Sequence, residues 1–85
     1  MAEVPVFNCI VHLRPADDGG VHAWVANLAG FECTAGSERQ ALMQLAGQFK
    51  QHVARLHAEG TPIPWIDPPP EPQAGEQRRW VPVHL

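Results

Sequence analysis

Five histidines and two cysteines hold most of the chemical potential of this chain, and their spacing limits what they can do. His12 and His22 flank a turn rich in Asp and Gly, so they can face each other across a hairpin. A structural zinc site takes four ligands, usually Cys or His in close pairs, and a catalytic site takes three. Here the intervals are irregular, and His52 and His57 would point from different sides of a helix. Exposed or strand-edge histidines are the plainer reading. Cys33 stands just ahead of a helix start at Ser37, where a helix N-terminus can depress a thiol pKa, so it is a better nucleophile candidate than Cys9. Both read more simply as small apolar strand residues.

The nine acidic residues fall mostly in turns, at helix ends or in the C-terminal stretch: Glu3, Asp17, Asp18, Glu32, Glu38, Glu59, Asp67, Glu71 and Glu76. General acid–base or two-metal chemistry needs carboxylates that are held rigidly and face inward. This distribution does not offer that setting. Gly19 and Gly20 precede a strand, whereas a phosphate cradle precedes a helix and its free amides. Of the three tryptophans, Trp24 falls in a strand, while Trp65 and Trp80 lie in or beside a proline-rich stretch. Tryptophans so placed either clamp that stretch to the body or anchor an interface, and the clamp is favoured.

These residues must be positioned by a small set of elements. Residues 4–13 are β-branched and apolar, with Pro5 near the start, where a strand tolerates it. Their cleaner apolar face is Phe7, Cys9, Val11 and Leu13, which should meet a helix. Pro15, Asp17, Asp18, Gly19 and Gly20 make a turn. Residues 21–26 return as a second strand, Asn27 to Gly30 turn again, and residues 31–35 form a third. Ser37 and Gln40 form a capping box, with Glu38 beside the positive helix end. Ala41, Leu42, Leu45, Ala46, Phe49, Val53 and Leu56 then follow the spacing of one helix face, and Gly60 with Pro62 and Pro64 ends it. Residues 62–72 carry six prolines and favour extended polyproline II. Gln73 to Arg79 is polar and expected to be mobile. Trp80 to Leu85 reads as a closing strand that Pro82 confines to a sheet edge.

The fold expected is therefore α+β: a three-stranded antiparallel meander packed by one long amphipathic helix, then a Pro-rich tail and a short terminal strand. The domain would span residues 1–65, and residues 66–85 would be its extension. A chain of 85 residues holds one domain with a modest core, which oligomerisation often supports. Six basic against nine acidic residues leave a net charge of −3, and Arg78-Arg79 is the one basic cluster. Direct DNA or RNA binding, which requires a basic surface, is not expected. An acidic chain suits a basic protein partner. Apolar runs are too short to span a bilayer. The start, Met1-Ala2-Glu3-Val4-Pro5, lacks the basic and apolar segments of a signal peptide, so a cytoplasmic protein with reduced thiols is expected.

The order of segments resembles the HicB-like antitoxin family over about residues 7–65. The resemblance is carried by the apolar first strand, the Asp17-Asp18-Gly19-Gly20 turn and the second strand His22-Ala23-Trp24-Val25. Asn27-Leu28-Ala29-Gly30-Phe31 stands where the family has Asp-Leu-Pro-Gly-Cys, so Asn27 and Ala29 depart from the pattern and Cys33 falls late. Thr34-Ala35-Gly36-Ser37 resembles the family's Gly-containing approach to the helix, and Glu38-Arg39-Gln40-Ala41-Leu42 its first turn. Glu59-Gly60-Thr61-Pro62-Ile63-Pro64 resembles its Gly-x-Pro-Ile-Pro exit, the most specific fragment. The resemblance implies a partial ribonuclease-H-like fold without nuclease activity, association into dimers or tetramers, and the blocking of a basic, RNA-cleaving toxin. Residues 66–85 do not resemble the DNA-binding module that many such antitoxins add.

The leading expectation is thus a non-enzymatic, oligomeric, protein-binding module that needs no cofactor. Its partner-binding surfaces would be the outer sheet face, with Asn8, Ile10, His12, His22 and Trp24, and the tail with Trp65 and Trp80. The terminal strand can add to its own sheet edge or exchange into another subunit. The competing expectations are a small-ligand or metal-binding protein using His12, His22 and Cys33, and a purely structural oligomer.

Overall fold

The computed structural model describes residues 5–85, so the expected beginning of the first strand at Val4 lies outside the described residues. The chain runs β1 (Val6–Pro15), β2 (Val21–Val25), β3 (Glu32–Ala35), α1 (Glu38–Glu59) and β4 (Gln77–His84). The fold is α+β, with four antiparallel strands in the order β3-β2-β1-β4 and the helix packed on one face.

Alternation of side chains along β1 builds that face. Cys9, Val11 and Leu13 join Ala23, Val25, Cys33 and Val83 beneath Ala41, Leu45, Phe49 and Val53 of α1. The apolar stripe of the helix is the one its sequence spacing predicts. Half of the expected capping box is seen at its start: Gln40 N donates to Ser37 Oγ at 3.2 Å. At the far end Gly60 adopts φ 69°, a left-handed conformation that a side chain would resist, and its N–H meets the carbonyls of Leu56 and His57. A side chain at Gly20 would collide with the Ala35 carbonyl across the sheet, which is why the first turn closes with glycine.

The terminal strand departs from expectation in length and in order. It starts at Gln77 rather than Trp80, and it pairs with β1 of its own chain from Leu13↔Gln77 to Val6↔His84. The sheet is therefore complete without exchange of this strand between copies. Residues expected to be mobile instead form a turn closed on itself. Gln73 N donates to the Glu76 carboxylate, and Glu76 N donates to Gln73 O, both at 2.9 Å. Leu85 N donates to Pro5 O at 3.0 Å, which sets the phase of the ladder. Odd-numbered residues of β4 then turn their amides to β1, and even-numbered ones turn theirs to the open edge. Pro82, opposite Asn8, falls in the second set and costs the ladder no hydrogen bond.

One buried polar side chain organises the end of the sheet. Where β2 leaves β1, Asn27 Oδ1 accepts from Ile10 N at 3.1 Å, and Asn27 Nδ2 donates to Asn8 O at 2.8 Å. Its own carbonyl accepts from Ile66 N at 3.0 Å, at the start of the proline segment. A carboxylate would supply only acceptors and would leave the Asn8 carbonyl facing negative charge.

Asn27→Asp is expected to destabilise the fold at neutral pH by ~1–3 kcal/mol, the cost of a buried unsatisfied group, with the loss shrinking as pH falls and the acid gains a proton to donate. Phe49→Ala, which empties a fully buried site, should cost ~3–5 kcal/mol. Denaturant unfolding of the two variants checks both, and an Asn27→Asp loss that grows with acidification would contradict the account of Asn27.

Candidate functional site on the outer sheet face

The face of the sheet opposite α1 carries a continuous set of polar and aromatic side chains. Register places Asn8, Ile10, His12 and Arg14 of β1 between His22 and Trp24 of β2 on one side and Arg78, Trp80 and Pro82 of β4 on the other. Glu32 and Thr34 of β3 extend the row beyond β2. The sequence-predicted face is thus one surface, but its members are not equally available. Asn8 is exposed, whereas Ile10, His22 and Trp24 are half-buried.

His12 is a correction. It was expected to be a surface contact, yet it is only 1% exposed. Arg78 Nε donates to His12 Nε2 at 3.0 Å, and the Trp24 ring meets the imidazole edge-on at a centroid distance of 6.1 Å. Burial, and then the Arg78 charge, lower the His12 pKa from its ordinary value, while Glu76 and Glu71 pull the other way. His12 is therefore a buried neutral acceptor.

The two late tryptophans have separate roles. Trp65 is half-buried on the helix side, its ring 5.6 Å from Phe7 and 5.8 Å from Phe49. It packs as a clamp that fastens the exit Gly60-Thr61-Pro62-Ile63-Pro64 to the core. Trp80 is the opposite case: it is 60% exposed on the edge strand, with the Arg78 guanidinium carbon 5.8 Å from its ring centre. Arg14 lies over Trp24 at the same distance, 5.8 Å.

The proposed trio of His12, His22 and Cys33 does not assemble. Cys33 lies opposite Ala23 on the helix side, where its thiol meets the Ala41 carbonyl, while His12 and His22 belong to the outer face. Among the described residues, no three His, Cys, Asp or Glu side chains gather to hold a metal ion. The thiols are also unsuited to nucleophilic chemistry, since burial pushes Cys9 up to about 12 and raises Cys33 as well.

Sequence reasoning missed two groups. His22 Nδ1 lies 3.2 Å from Thr34 Oγ1 and its Nε2 lies 3.4 Å from Glu32, so a hydroxyl, an imidazole and a carboxylate stand in a row. Period-two alternation in β3 would have found them, because Glu32 and Thr34 share the face of His22. His22 and Thr34 line an open depression of about 450 Å³ bordered by Arg14 and Asp17, and the Glu32 side chain is 71% exposed. The row orients His22 in water rather than in the dry pocket that acyl-transfer relays use. The second group is the basic pair: Arg78 and Arg79 point to opposite faces. Arg79 crosses to the helix side and holds Glu38 through two bonds of 3.1 and 3.2 Å. Both side chains of that pair are well exposed, so it contributes no more than ~1 kcal/mol.

Compared with known proteins, the chain matches no family model, no curated protein and no solved structure. Among the described residues, no helix is long and apolar enough to cross a membrane.

A thiol reagent added to the folded protein at pH 7.5 is expected to leave both cysteines unmodified, with reaction appearing only in denaturant. Rapid labelling of Cys33 in the folded state would contradict the burial described above.

Proposed function

We propose that this chain is a non-enzymatic, HicB-like protein-binding module of antitoxin type, acting in the cytoplasm. It associates with copies of itself and takes up a basic partner such as an RNA-cleaving toxin. The observation that carries the reading is Trp80: a large aromatic side chain, 60% exposed, on an edge strand that among the described residues has no neighbour on one side. Isolated exposed aromatics of this kind are frequent anchors of interfaces. The open edge beside it offers backbone amides of Trp80 and His84 to an added strand.

Charge favours a basic partner. Asp17, Asp18, Glu32, Asp67 and Glu71 are all exposed and border the outer face, whereas Arg78 is engaged by His12 and Pro70. The net charge of −3 would steer a cationic protein toward such a surface and orient it. The partner-binding set is therefore Asn8, Ile10, His22, Trp24 and Trp80. His12 and Trp65 drop out, because one is buried and the other is a clamp. Family membership rests on the segment order and on the exit after the helix.

The test is the solution mass by light scattering, alone and mixed with the product of an adjacent reading frame. The expected result is a mass above that of one chain and uptake of a basic neighbour. Trp80→Ala should abolish that uptake while changing stability by no more than ~0.5 kcal/mol, as for other exposed positions. A single-chain mass together with indifference to the neighbour would overturn the proposal.

A further inference from the structure

One cluster on the outer face has a geometry that permits only one protonation state. His12 lies on β1, between β2 and β4, and its Nε2 accepts the 3.0 Å hydrogen bond from Arg78 Nε. A guanidinium has donors alone, so this imidazole nitrogen must carry no proton. The same guanidinium donates through Nη2 to Pro70 O at 2.6 Å. A single side chain thus joins β1, β4 and the proline segment that runs between Trp65 and β4. Pro68, Pro69, Pro70 and Pro72 bring that segment no amide donors of their own. Upstream it is tied at Ile66 N to Asn27 O, and downstream it is closed by the Gln73–Glu76 turn.

We infer that His12, Arg78 and Pro70 form a proton-operated latch: neutral His12 holds the proline segment on the outer face, and protonation of His12 releases it. An imidazolium at this position would set donor against donor and positive charge against positive charge. The groups facing His12 are Arg78 of β4, Trp24 of β2, and Glu71 and Glu76 of the proline segment and its turn. Ile10 and Arg14 flank it on its own strand. After release the two glutamates are free to follow either cation, but the bond that aligned Arg78 with Pro70 is gone.

The direction with pH follows from linkage. Burial and Arg78 hold the latched imidazole below its ordinary 6.5, so the released state binds more protons than the latched one. The latch is fully stable above about pH 6.5 and weakens as pH falls from there toward the lowered value. Release would uncover Ile10, which lies beside Ile66, Asp67 and Pro69 and is part of the surface proposed above for a partner. That consequence rests on the functional reading, whereas the latch itself does not.

The experiment is a pH titration of the full chain by nitrogen-15 NMR, reading His12 Nε2, the Arg78 Nε–H and the amides of Glu71 and Gln73. Above pH 7 the Arg78 Nε–H should be protected and His12 Nε2 should show an acceptor shift. Below about pH 6.5 the open population should grow by up to tenfold per pH unit, as one proton requires. His12→Gln keeps an acceptor that does not titrate, so its latch signals should stay unchanged across the range. Arg78→Met should show the released amide shifts at every pH, which keeps the test sound if the Gln variant does not fold. A wild-type His12 that protonates at its ordinary value while the Arg78 Nε–H stays protected would overturn the inference. So would the same transition in His12→Gln. None of these readouts involves a partner, so failure of the latch and failure of the binding proposal are separately visible.

Discussion

The structure depends on one constraint: the chain must leave the helix side of the sheet and return along the free edge of β1. Helix α1 packs on the inner face and ends at Glu59, but β4 pairs in register with β1 from Gln77 onward. The segment between them has to round the end of the sheet and cross part of the outer face. Three fixings make this possible. Trp65 packs between Phe7 and Phe49, Ile66 is tied to the Asn27 carbonyl, and Pro70 is held by Arg78. Each relies on a residue that also builds the sheet. Loosening the return would therefore expose the core side of β4 and the buried His12 together.

This arrangement explains why a short chain can manage with a single helix. One helix covers only one face of a four-stranded sheet, and water would normally reach the other. Here the central strand β1 is shielded on the second face by Trp24, Arg78 and the returning segment. Proline suits the task, since its restricted φ lowers the entropy lost when an extended strap is ordered. Asn27 has no simple substitute, because a strand end buried on both sides needs a donor and an acceptor from the same side chain.

Much of the body was legible in the sequence. The helix was clear because its apolar spacing, the cap at Ser37 and Gly60 all agreed, and agreement across levels is what specifies a fold. The inner face of β1 followed from alternation alone. The C-terminal part was legible in type but not in extent. Polar residues such as Gln77, Arg78 and Arg79 carry no strand pattern, and they are strand residues because of tertiary partners: β1, His12 and Glu38. The site was read in part for the same reason. The faces of Asn8, Ile10, His22 and Trp24 follow from period two, but the burial of His12 depends on a segment far along the chain. Adjacent arginines looked like a basic patch, and the pleat of β4 sends them to opposite sides.

The central claim is that the proline segment returns β4 to the β1 of the same chain. Isotope-filtered NOE spectroscopy on co-refolded labelled and unlabelled copies tests it directly. Contacts of Val83 with Phe7 and of Val81 with Cys9, neighbours in the observed register, should arise only within a chain. Strong contacts of these pairs between labelled and unlabelled chains would show that β4 is exchanged and would contradict the account.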